Sequence, residues 1–185
     1  MVFDEVSSGW RLALGGAHLK FKVNPDVCVF AKGISNGYPM AAVIGTRAVM
    51  QAVQGSFISS TYWTERIGPT AALATIKKLK QTRAASILQK TGRAVQKGWK
   101  ACAVKNKLKI HVSGIDPLGH FTFDAKEPLV LKTLFTQYML EQGFLASTVF
   151  YASLAHEDKH VNRYLQAADK SFHQIAAAVK SGTPQ

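Results

Sequence analysis

The stretch "PDVCVFAKGISNGYP", Pro25 to Pro39, constrains the fold more than any other part of the chain. Val27, Cys28, Val29, Phe30 and Ala31 form a continuous apolar run, too short for a helix and rich in strand-forming side chains. Such a run predicts a strand buried on both faces of a parallel sheet. It delivers Lys32 to its tip and then breaks at Gly33 and Gly37. A solvated lysine at a strand end is commonplace, so its surroundings decide what Lys32 is for. Upstream, in "FDEVSSGWRLALGGA", a second apolar run from Met1 to Phe3 ends on the acid pair Asp4-Glu5. Downstream, "FISSTYWTERIGPTAALAT" sets hydroxyls at Ser59, Ser60 and Thr61 before a helix. Acid, amine and hydroxyls at element ends belong where the active sites of parallel α/β sheets gather.

The rest of the pattern alternates between strands and helices. Met40 to Ile44 is a third candidate strand. Pro69 suits the first turn of a helix. Leu73, Ile76, Ile87, Leu88, Val95 and Trp99 then recur at helical spacing, which predicts one long helix or two broken near Gly92. Lys109 to Val112 and His120 to Phe123 read as short strands joined across Gly114, Asp116, Pro117 and Gly119. Leu131 to Gln142 reads as a helix ending at Gly143. Val161, Tyr164, Leu165, Ala168, Phe172, Ile175 and Val179 mark a final amphipathic helix. The strand-rich part gives way to a smaller α+β part between residues 75 and 100, which divides the chain into domains 1–80 and 81–185. Beginning inside an apolar strand, the chain reads as the back half of something larger.

Charge and composition exclude several classes. The formal net charge is +12, and residues 66–115 hold 12 basic side chains and no acid. That segment contains no nucleic-acid reader module and no aromatic stacking surface beyond Trp99, so it reads as a solvated or partner-facing helical surface. No apolar run reaches the roughly 18 residues a membrane helix needs, and residues 1–20 lack a signal peptide's pattern; a cytoplasmic location is expected. Cys28 and Cys102 are too few for a disulfide framework and read as small buried hydrophobes in a reducing compartment. "HEDKH", His156 to His160, fits a zinc-protease pattern but lacks a third ligand downstream. Glu157 and Asp158 read instead as acids in a helix's first turn, and no metal is expected.

The residues around Lys32 resemble the class III, or fold-type I, pyridoxal-phosphate-dependent aminotransferases, including the branch that contains glutamate-1-semialdehyde aminomutase. The resemblance lies in Val2-Phe3-Asp4-Glu5-Val6-Ser7-Ser8-Gly9-Trp10-Arg11 and in Pro25-Asp26-Val27-Cys28-Val29-Phe30-Ala31-Lys32-Gly33 with Asn36-Gly37 following. "LAHEDKHVNRYLQAADKSF" is similar to the family's last helix, so the likeness covers nearly the whole chain but only the family's second half. It implies an α/β fold: the end of the large parallel-sheet domain followed by the small α+β C-terminal domain. The cofactor implied is pyridoxal 5'-phosphate, with a small-molecule amino donor and a carbonyl acceptor. Lys32 would form the Schiff base and then act as general base and acid; desolvation at the end of an apolar strand would favour the neutral amine this needs. Asp4 would bond the pyridinium nitrogen, which must stay protonated for the ring to draw electrons, and Val6 would pack on the ring face. Thr61, assisted by Ser60, would reach the phosphate of a neighbouring subunit's cofactor across a homodimer interface, although "YWTERIGP" replaces the family's glycine-rich run. The alternatives are a 2,1-aminomutase and, from another class, an inactive fragment whose basic surface binds a partner or nucleic acid.

Overall fold

The computed structural model describes residues 1–182 and divides into two compact units, Met1–Ser86 and the chain from Ile87 onward.

The first unit is built on a mixed three-stranded sheet. Strands β1 (Val2–Asp4), β2 (Val27–Phe30) and β3 (Ala42–Gly45) lie in that order. β1 runs parallel to β2, with Asp4 opposite Val29, and β3 runs antiparallel, with Val27 opposite Gly45. The short helix α1 (Ala17–Phe21) makes the crossover between the parallel pair, as parallel strands require. Cys28 and Phe30 point into a small core with Ile34 and Ala72, flanked by Phe3, Trp10 and Met40. Val27 and Val29 point the other way and are only half-buried. The expected strand buried on both faces is therefore corrected: β2 alternates, and its sheet is mixed because β3 turns back against it. Helix α2 (Arg47–Gln51) buries no residue, and α3 (Ile67–Thr82) begins where the Glu65 carboxylate accepts the Gly68 N–H at 2.7 Å.

α3 ends at Arg83, which turns left-handed at φ 50° and caps it; α4 (Ala84–Lys105) follows at once. The break expected near Gly92 thus falls nine residues earlier, at a residue with no glycine or proline to announce it. Gly92 serves close approach instead. A Cβ there would lie 1.8 Å from the Asp116 carbonyl oxygen.

The second unit carries an antiparallel sheet of β4 (Ile110–Ile115), β5 (Leu118–Phe123) and β6 (Val149–Tyr151), covered by α4, α5 (Pro128–Glu141) and α6 (Asp158–Ser181). Phe121 is the hub of its core. Its ring centroid lies 5.0 Å from Trp99, 5.2 Å from Phe135 and 5.6 Å from Phe172. All four rings are nearly or fully excluded from water, and each such burial is worth about 1.5–3 kcal/mol. The one polar tip among them, Trp99 Nε1, donates to Tyr164 Oη at 2.8 Å. The zinc-like histidines have local duties. His160 Nδ1 accepts the Glu157 N–H at the start of α6, and His156 Nδ1 accepts the Ser153 N–H.

The 12 basic residues of the 66–115 segment are all exposed. Arg93 pairs with Asp116 and Lys105 with Asp169, and the others are solvated on α3, on α4 and on the turn after it. Among the described residues, no helix is long and apolar enough to cross a membrane.

Candidate functional site

The site forms where β1 and β2, running parallel, end side by side. β1 hands over to a tight turn at Glu5, and the acid pair read from the sequence separates into two roles. Asp4 stays exposed; its Oδ1 accepts the Val6 N–H at 2.9 Å, and its other oxygen faces no cation among the described residues. Glu5 is 1% exposed. Ser8 Oγ donates to its Oε2 at 2.5 Å, and the backbone N–H of His18 donates to its Oε1 at 3.0 Å, with His18 Nδ1 at 3.2 Å from the same oxygen. Burial alone would push this carboxyl up. The Ser8 hydroxyl, the N–H groups of Ala17 and His18 and the imidazole together hold it below the ordinary carboxylate range. A buried anion at the first turn of α1 therefore anchors the loop between β1 and α1.

Glycines let that loop close. A Cβ at Gly9 would meet the Glu5 carbonyl at 2.7 Å and the Phe30 ring at 2.8 Å, and one at Gly16 would meet the Glu5 carboxylate at 2.6 Å. Any side chain there displaces the anchor.

Lys32 takes a left-handed backbone, φ 47°, which costs a non-glycine residue about 1–2 kcal/mol. Backbone strain of this kind gathers at functional positions. Its side chain is exposed and its Nζ donates to Ser7 Oγ at 2.6 Å. The desolvation expected of Lys32 is thus not supplied by the described chain, because the strand that delivers it is half-open and the loop before it covers only one side. Ser7 is itself held: its carbonyl accepts Arg11 Nε at 2.8 Å. Arg11 and Lys32 share a shallow depression of about 450 Å³ with Gly33, Asn36, Gly37 and Tyr38. Asn36 and Gly37 have φ of 50° and 110°, so the chain curls tightly behind the lysine.

The structure ties Lys32 to Ser7, on the loop that starts at Asp4 and carries Val6. Ser60 and Thr61 are not brought to them. Both are exposed, and the Ser60 hydroxyl accepts the Tyr62 N–H at 3.2 Å within its own turn. The sequence reading missed Ser7 and the anchoring role of Glu5. Cys28 lies 3.5 Å from His18 Nδ1, but burial and the Glu5 charge push its thiol up, which leaves it inert.

Two parallel strands thus bring an exposed acid and a left-handed lysine to the same end of the sheet, with Lys32 tied to the loop that follows Asp4. The class-III aminotransferase family model matches residues 1–170, and the chain belongs to that family. It is 29% identical over 171 residues to a 2'-deamino-2'-hydroxyneamine transaminase of Streptomyces kanamyceticus, covering 90% of this chain and 43% of the relative. It is 28% identical over 189 residues to a glutamate-1-semialdehyde 2,1-aminomutase of Desulfosudis oleivorans, covering 93% of this chain and 44% of the relative. Among solved structures, the FumI protein of Sphingopyxis sp. MTA144 in its PLP internal aldimine form superimposes with a TM-score of 0.89 at 23% identity, over 97% of this chain and 44% of that one. The fold is that of part of a transaminase. The chain spans less than half the length of these relatives.

Proposed function

We propose that this chain carries the lysine-bearing part of a pyridoxal-phosphate-dependent aminotransferase, which moves an amino group between an amine or amino acid and a keto or aldehyde acceptor. The observation that carries the reading is the placement of Lys32 Nζ on the loop that starts at Asp4. The residues fit the cofactor. Asp4 has a carboxylate oxygen with no cation opposite it, as a protonated ring nitrogen requires; Lys32 offers an exposed amine; Val6 is a half-buried apolar side chain between them in sequence. Bound pyridoxal phosphate would supply an electron-withdrawing ring that stabilises charge on the carbon bearing the transferred amine.

The chain's own residues do the rest. Asp4 would keep the ring nitrogen charged, and Val6 would pack on the ring. Lys32 Nζ would hold the cofactor through its carbonyl carbon, and its freed amine would take up and return a proton. Thr61, with Ser60, reaches the phosphate held by a second copy of the chain. Support for a homodimer comes from the apolar side chains flanking that turn: Phe57 is 94%, Trp63 68% and Ile67 63% exposed. Large apolar side chains this exposed offer surface that a second copy could cover. The remaining pocket walls come from an N-terminal half, in keeping with the share of the relatives that this chain spans. Transfer is preferred to the aminomutase reading, since both kinds of relative match at nearly the same identity and the family as a whole is that of the aminotransferases.

The test is turnover by the chain assembled with the missing half, given an amino donor and an isotopically distinct carbonyl acceptor. Amino transfer between the two is expected, and rearrangement within one substrate would favour the mutase. Asp4→Asn should lower turnover by roughly 2 to 4 orders of magnitude, as loss of a preorganised electrostatic contact does. Unchanged turnover would remove Asp4 from the site.

A further inference from the structure

We infer that Ser7 is the positioning residue for the Lys32 amine, a proposal that rests on reading Lys32 as the cofactor lysine. A lysine side chain is a flexible stem ending in a mobile point charge, and Lys32 is exposed. It nevertheless rests on one partner, with Nζ 2.6 Å from Ser7 Oγ. That partner is fixed before the lysine reaches it. Arg11 Nε holds the Ser7 carbonyl at 2.8 Å, and Glu5, buried under Ser8 and His18, anchors the segment from which Ser7 projects. The hydroxyl is thereby preorganised, and the order it imposes on Lys32 is not lost to motion of Ser7 itself.

The chemical type matters as much as the place. Both neighbouring acids are directed elsewhere: Asp4 accepts the Val6 N–H and Glu5 accepts Ser8 and His18. Lys32 makes no ion pair among the described residues. A carboxylate facing the amine would fix it as an ammonium. A hydroxyl instead accepts from the ammonium and donates to the neutral nitrogen, so one partner serves both proton states that a general acid and base passes through. Ser7 holds the amine at one place through both halves of the proton transfer.

The test has two arms. In the first, the full chain without cofactor is trace-labelled with acetic anhydride, and the labelling of Lys32 is read against the exposed Lys77 and Lys78 as internal references. Wild-type Lys32 must leave Ser7 to react, so Ser7→Ala should raise its relative labelling roughly 2- to 10-fold, the equivalent of one net hydrogen bond. Ser7→Thr, which keeps the hydroxyl, should label like wild type. Equal labelling of Ser7→Ala and wild type, or a threonine variant that behaves like alanine, overturns the proposal. In the second, the cofactor-loaded assembly of Ser7→Ala should lose about 10- to 100-fold in kcat with KM for the donor within about 3-fold, the loss typical of a misplaced acid-base group. An unchanged kcat overturns it. A wild-type assembly that captures no pyridoxal phosphate refutes the aminotransferase reading, while Ser7 is still judged by the labelling arm.

Discussion

The two units solve opposite problems. The second closes a dry core around Phe121, with Trp99, Phe135 and Phe172 packed on it and the single buried indole N–H satisfied. The first keeps a small core and exposes apolar side chains on both edges of its sheet: Val2 is 67%, Val43 53% and Ile44 54% exposed. It also holds Lys32 in a left-handed backbone and buries the Glu5 carboxylate. The unit proposed to carry the chemistry is thus the one with the smaller core. Left-handed backbone and buried charge sit near Lys32, and the larger buried core lies in the other unit.

The sharpest way to break this contrast is a cavity in the second unit. Phe172→Ala should cost about 3–5 kcal/mol in denaturant unfolding, yet leave the labelling of Lys32 unchanged at temperatures where the chain is folded. A smaller effect of the same kind is expected at Gly92. Gly92→Ala would force its Cβ against the Asp116 carbonyl and should cost about 1–3 kcal/mol by overpacking, again without touching the lysine. If either change altered Lys32 labelling, the division of labour between the units would fail.

The first unit should be recognised by its open surface. The chain by itself is expected to self-associate in sedimentation runs, because β3 is an edge strand bearing Val43 and Ile44, and unprotected apolar edges pair with other chains. Val43→Lys should reduce that association, since an edge charge opposes pairing. A wild-type chain that sediments as a single monomeric species would contradict the open-face account.

Acid should distinguish the units most gently. The folded state holds Glu5 below its ordinary value of 4.5. Its contribution is therefore complete above that pH and is lost as pH falls through the lower folded-state value. The loop carrying Ser7 should lose protection from hydrogen exchange as the pH drops below 4.5, and Glu5→Gln should flatten that dependence. A wild-type loop whose protection does not change with acid would show that Glu5 is not the anchor.

Much of this was legible in the sequence, and the rest was hidden for identifiable reasons. β1, β2 and α6 follow from apolar patterning, and Lys32 was singled out by the acid and hydroxyls around it and by the resemblance of its surroundings to a family pattern. α1 left no periodic trace because five residues bury only Ala17, and β6 is three residues long. The helix break was misplaced because Arg83 adopts a conformation usually left to glycine. The exposed flank of β2 was missed because a short apolar run does not say how many neighbours its strand has. Ser7 could not be singled out because its partner lies 25 residues away, and the different fates of Asp4 and Glu5 depend on which face of the turn each side chain takes.

The account turns on Lys32 being the residue that captures the cofactor, and reduction tests that directly. The chain, assembled with the N-terminal half proposed for it, is incubated with pyridoxal phosphate, treated with borohydride and mapped by peptide mass spectrometry. The adduct is expected on Lys32 and should vanish in Lys32→Ala; an adduct that persists in that variant, on any other lysine, would contradict the account.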